Sequence, residues 1–197
     1  QGEFEDYLQS RSAKRRKRIR SFFRNDQIRI ERLLSNPMDD PAVRALMKAH
    51  GDGFAARQRT TTNFDPLYHR SLEIVFGYAL RHAALYGIWA RQDEAAVGFG
   101  TLIVSPAWRH GVFLTNFYLP SYSDASHMVV SGIIKAAYEI KVAVDGMRGA
   151  FGLKKLFRFS PASSYALVRD ANWKVQEQGD LTPQEIQALY GRTPVGD

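Results

Sequence analysis

Cysteine is absent from the 197 residues, which excludes disulfides, thiolate nucleophiles and zinc sites built on sulfur, and points to a reducing compartment. Long apolar runs are also missing. None reaches the ~18 to 20 residues that a bilayer span needs, and the N-terminal stretch is basic and amphipathic without the apolar centre of a secretory signal. The expectation is a protein without a membrane span, not secreted and cytoplasmic. Internal repeats are lacking, as are low-complexity tracts outside one basic block. The five histidines, His50, His69, His82, His110 and His127, show no ligand spacing with carboxylates, so no metal is expected.

What is present is enough apolar material for one core. Hydrophobic residues make up 45% and aromatics 12%, which suffices to offset the ordering entropy of most of the chain. The net charge of +7 is unevenly spread. Lys14-Arg15-Arg16-Lys17-Arg18-Ile19-Arg20 holds six cations in seven positions. Such a block suits a polyanion such as nucleic acid, an acidic protein partner or an anionic lipid surface. Three parts are expected: a basic amphipathic helical arm over residues 1–26, a main α/β domain over 27–178, and a short C-terminal helix and tail over 179–197. The composition also permits a homo-oligomer.

Within the arm, Phe4, Tyr7, Leu8, Ile19, Phe22 and Phe23 lie among charges without proline, which predicts one helix with an apolar side that docks on something. Gln27 to Leu33 alternates apolar and charged residues, the period of a half-buried strand. Asp40-Pro41 predicts a capped helix start, and Ala42, Ala45, Leu46 and Ala49 its apolar stripe, ended by His50-Gly51-Asp52-Gly53. A second helix is predicted from Leu67 to about Leu85 on the spacing of Leu72, Val75, Phe76, Ala79 and Leu80. Two strands, Tyr86–Ala90 and Ala96–Val104, flank a tight turn, and a third covers Val112–Leu119. Asp124 is placed to cap a helix carrying Met128, Val129, Ile133, Ile134, Ala137 and Ile140. Further on, Leu156–Phe159 suggests a strand, Ser160-Pro161 a helix through Leu167, Asn172–Gln176 a last strand, and Thr182-Pro183-Gln184-Glu185 a capped final helix.

This order of elements resembles the GNAT family of acyl-CoA-dependent N-acyltransferases, over about Gln27 to Gln178. Ala96-Val97-Gly98 looks like the family's apolar–Gly strand entry. Leu119-Pro120-Ser121-Tyr122 resembles its strand end before the cofactor helix, and Pro161, Ser164, Leu167 and Asn172-Trp173 match the spacing of its late motif. The resemblance implies a mixed central sheet flanked by helices. It also implies that acetyl-CoA or another acyl-CoA, if bound, would use Phe117, Leu119, Asp124, Ala125, Ser126 and Met128. Two features depart from the pattern, the cofactor loop and the general-acid position. Where the family's loop carries its basic or amide residue and two small ones, this chain has Ser123, Ser126 and Met128, and Asp124 adds a carboxylate that would repel pyrophosphate. The tyrosine that many relatives use as general acid falls at Val168, which transfers no proton; Tyr165 lies one helical turn earlier.

Glu73 and Asp65 are candidate bases, with surface roles the plainer explanation. Gly98-Phe99-Gly100 lacks the third glycine and following helix of a dinucleotide loop and is expected to serve packing. Trp108-Arg109-His110 suits a binding turn. Lys14, Arg15, Arg16, Lys17, Arg18 and Arg20 are the expected contact to nucleic acid or a partner. The reading is therefore a non-catalytic binding or assembly module without cofactor, similar to GNAT-like internal virion proteins of short-tailed phages, which would place it in the virion. The alternative is an N-acyltransferase acting on an amine.

Overall fold

The computed structural model describes residues 3–58, 66–105, 107, 109–146, 157, 168–169 and 175–176. Two compact units are separated at Phe157–Arg158. In the first, the chain runs α1 (Phe4–Gln9), α2 (Ala13–Arg24), β1 (Ile28–Arg32), a 3-10 turn (Pro37–Asp39), α3 (Pro41–Gln58), α4 (Pro66–His82), β2 (Ala84–Gln92), β3 (Ala95–Ser105), β4 (His110–Tyr118), α5 (Ala125–Ile140) and β5 (Ala143–Asp145). In the second, β6 (Val168–Arg169) pairs antiparallel with β7 (Val175–Gln176).

The strands of the first unit form one five-stranded sheet in chain order. β1 to β4 are antiparallel to their neighbours, and β5 runs parallel to β4. This is the mixed α/β architecture, sheet flanked by helices, expected from the sequence. β2 and β3 form a hairpin closed at Asp93-Glu94, where Asp93 takes a positive φ of 53°, a conformation Asp tolerates better than most residues.

On one face, α3 and α4 cover a core of Met38, Val43, Leu46, Leu72, Phe76, Leu85, Phe99 and Phe117. α3 starts as predicted, with Asp40 Oδ1 accepting from the Ala42 amide at 2.7 Å. It does not stop at His50–Gly53 but continues to Gln58. Gly53 faces Pro120, whose Cγ would lie 2.2 Å from an added Cβ, so this glycine admits a neighbour instead of ending the helix. On the other face, α5 lies over glycines. A Cβ on Gly100 would sit 2.3 Å from Val129 Cγ1, and one on Gly132 2.4 Å from Ile88 Cγ2. Gly98 and Gly100 thus serve packing, as expected.

The arm is two helices, not one. Ser10 Oγ donates to the Tyr7 carbonyl at 2.7 Å and accepts from Arg11 Nε and Nη2 at 3.2 Å, a serine side chain competing with helical backbone bonding, and the Arg11 guanidinium lies over the Tyr7 ring at 4.9 Å. The apolar side of the arm docks on α5 of the same unit: Leu8, Ile19 and Phe22 are buried, and Phe4 and Tyr7 pack on Tyr138 at 6.2 and 5.9 Å between ring centres. The described residues of the expected arm, 3–26, belong to the first compact unit. The parts expected at Ser160–Leu167 and over 179–197 lie outside the described residues, and so does most of the strand expected at Leu156–Phe159.

Candidate functional site at the N-terminus of α5

The end of β4 and the start of α5 meet at the place where the sequence directs attention. Asn116 Nδ2 on β4 donates to Ser126 Oγ on α5 at 2.8 Å, and the Leu119 amide continues the sheet by donating to the Val97 carbonyl at 2.9 Å. The Ala125 amide donates to the Tyr122 carbonyl at 3.2 Å and the Met128 amide to that of Asp124 at 2.9 Å. Asp124 occupies the N-cap position, yet its side chain makes no cap hydrogen bond. Its carboxylate instead pairs with the Arg18 guanidinium of α2. The expected side-chain cap is therefore corrected: an arginine 106 residues away takes the oxygen that the helix amides would otherwise use.

His127, in the first turn of α5, is half-buried, with the Phe157 ring 6.0 Å from its own. Burial lowers its pKa from 6.5, the Arg18 and Arg15 charges lower it further, and a backbone contact to Ser123 opposes them. A neutral imidazole is favoured because the arm already supplies positive charge.

Of the six residues suggested for a cofactor, three turn their side chains inward: Phe117, Ala125 and Met128 are buried. Leu119 packs against the core cluster, Ser126 is bonded to Asn116, and Asp124 is paired with Arg18. The side chains of these six residues are thus buried, packed or already engaged. Main-chain groups are a different matter: β5 pairs with His110, Gly111 and Val112, and among the described residues no strand takes that edge of β4 beyond them.

Glu73, a candidate base, is engaged on the surface of α4. Its carboxylate lies 2.9 Å from Arg70 and 3.4 Å from His69, and its carbonyl accepts from Asn36 Nδ2 at 3.0 Å. Tyr165, Asp65, Trp108 and the Asn172-Trp173 pair lie outside the described residues; Val168 is in β6. The structure brings one pair to the end of β4 that the sequence reading passed over: the His50 ring of α3 stands 4.4 Å, edge to face, from Tyr118. His50 had been read as part of a helix stop, so only the true length of α3 reveals it.

Among the arm cations, Arg18 pairs with Asp124 and Arg20 with Glu5, and Arg16 Nη1 donates to Gln9 Oε1 at 2.9 Å. Lys14, Arg15 and Lys17 are exposed. Among the described residues, no three His, Asp or Glu converge as metal ligands, and no helix is long and apolar enough to cross a membrane.

No protein-family model and no curated protein matches the chain. Solved structures similar to it include the PaiA N-acetyltransferase of Thermoplasma acidophilum in complex with coenzyme A, at 10% identity, covering 75% of this chain and 95% of that one, with a TM-score of 0.43. The ribosomal-protein-alanine N-acetyltransferase of Brucella melitensis is similar at 15% identity over 72% of this chain and 98% of that one, with a TM-score of 0.39. A GNAT-family protein of Desulfovibrio desulfuricans is similar at 14% identity and a TM-score of 0.39, over 56% of this chain and 65% of its own length. Scores this low leave the functional reading to the chain's own residues.

Proposed function

We propose that the chain is a non-catalytic binding or assembly module on an acyltransferase-like fold, with the basic arm as its contact surface. The observation that supports this is the ion pair between Asp124 and Arg18. A helix N-terminus attracts anions through its unpaired amides and its dipole. Here the N-cap position already holds a carboxylate, and that carboxylate already holds a guanidinium. A pyrophosphate arriving there would have to displace both. Val168, where many acyltransferases of this kind carry a general acid, has no proton to give.

The test is calorimetric titration and thermal unfolding of the chain with coenzyme A and acetyl-CoA. The expected result is no heat and no rise in Tm up to millimolar cofactor. Saturable binding at micromolar concentration with a raised Tm would overturn the reading.

One observation favours a second reading, an N-acyltransferase taking an acyl group from acetyl-CoA or another acyl-CoA to an amine. β5 leaves β4 after Val112, so among the described residues no strand pairs with that edge of Phe113–Tyr118. A pantetheine arm could add its amides there as a strand would. In that case thiol release should follow the addition of an amine, and no release from a panel of amines speaks for the first reading.

A further inference from the structure

We propose that the outward face of α2 is a docking surface for the phosphate backbone of double-stranded nucleic acid, read without regard to sequence. The proposal rests on the reading of the arm as a contact surface and names its partner.

Three observations converge on it. First, the arm's apolar side is spent inside the molecule: Leu8, Ile19 and Phe22 are buried, Phe4 and Tyr7 pack against Tyr138, and Phe23 meets Phe4 at 5.6 Å and lies under the Lys135 ammonium. A helix without outward apolar anchors offers neither the aromatic hot spots of a protein interface nor the hydrophobic face that holds an amphipathic helix in a membrane surface. It also lacks the stacking platforms that single-stranded nucleic acids use.

Second, the two carboxylates that reach α2 are taken by other cations of the helix. Asp124 takes Arg18 and Glu5 takes Arg20, and these pairs fasten the two sides of the helix. Among the described residues no carboxylate pairs with Lys14, Lys17 or Arg24, all of which are exposed. Third, residues 14, 17 and 24 lie three and seven apart within an arc of about 80° around the helix, on the side away from Ile19. They span about 15 Å at 1.5 Å per residue. A duplex carries one negative charge per ~1.7 Å of its axis, so cations spread along one side of the helix face several phosphates at once. A folded helix holds them there without the ordering cost of a loose tail.

The experiment measures binding of the whole chain to a fluorescent duplex of about 20 base pairs and mixed sequence, to the matching single strand, and to vesicles containing phosphatidylserine, each from about 50 to 200 mM salt. Three neutralised phosphates give a log–log salt slope near −2.7, or a loss of about 40-fold across that range for the duplex. Shuffling the sequence should leave the affinity unchanged, and the single strand should bind more weakly. The double variant Lys14→Glu with Lys17→Glu should lose about tenfold or more in affinity and reduce the slope by about 2, with Tm unchanged because both side chains are exposed. No duplex binding at 50 mM salt, binding untouched by the double variant, or binding to vesicles in preference to duplex would each overturn the proposal. Coenzyme A titration reads the α5 terminus independently, so the failure of one idea is told from the failure of the other.

Discussion

Behind the sheet, α3 and α4 meet β2–β4 through large side chains, Phe76, Phe99, Phe117 and Leu85, all buried; in front, α5 meets the same strands through Gly98, Gly100 and its own Gly132. The first face gains stability from volume and the second from closeness. A face filled by aromatics tolerates no loss of atoms, whereas one closed on glycine tolerates no gain. The front face also carries a second layer, the arm on α5, which brings Arg18 to Asp124.

The contrast is broken most severely from behind. Phe99 is fully buried and its ring packs 4.5 Å from that of Trp89. Phe99→Ala should cost about 3–5 kcal/mol through the lost transfer energy and the cavity left, read by chemical denaturation as a lowered midpoint. In front, Gly100→Ala should cost about 1–3 kcal/mol for the opposite reason, overpacking, because the Thr115 carbonyl oxygen at 2.9 Å blocks the new methyl as well as Val129. A neutral result for Gly100→Ala would mean that α5 rides away from the sheet freely, and that the spacing argument is wrong.

How far the sequence foretold this depended on the range of the signal. β1 to β4, α4 and α5 were legible because alternation and helical spacing are local, and because both faces of the sheet repeat them. α3 was read short since Gly51 and Gly53 look like a stop; only Pro120, far along the chain, shows that Gly53 is there for contact. β5 is three residues long and pairs with a distant strand, which leaves no pattern to read. The docking of the arm was half legible: its apolar side announced a partner, but nothing in the spacing of Phe4, Tyr7 and Phe22 says that the partner is α5. At the candidate site, Asp124 was recognised as a charge at a helix start, and its use was missed because Arg18 is 106 residues away.

A smaller effect sharpens the comparison on the front face alone. His127 has its pKa lowered in the folded protein, by burial first and by Arg18 and Arg15 next. Above pH ~6.5 the ring is neutral whether the chain is folded or not, and it contributes nothing to pH dependence. As the pH falls below that value the unfolded chain takes up the proton first, so the folded state loses stability until the lower folded pKa is passed. Tm should therefore decline as the pH falls below about 6.5, and His127→Gln should flatten that part of the profile. A profile unchanged by the substitution would place the pH response elsewhere.

The smallest change in stability should come from Arg18→Ala. Arg18 and Asp124 are each more than a third exposed, 48% and 35%, and a surface pair of this kind is worth about 0–1 kcal/mol. Denaturation should barely register its loss. What it alters is the start of α5: without the guanidinium, the Asp124 carboxylate is free to turn toward the helix amides and cap them, as the sequence alone would have it. The site then remains closed to pyrophosphate by charge, and coenzyme A should still fail to bind. Removing both side chains, with Arg18→Ala and Asp124→Ala together, leaves the amides to an incoming anion, since alanine cannot cap them. Binding of coenzyme A to the double variant and not to the parent would identify the ion pair as what closes the start of α5 to an anion; no binding to either would show that the ion pair is not what closes it.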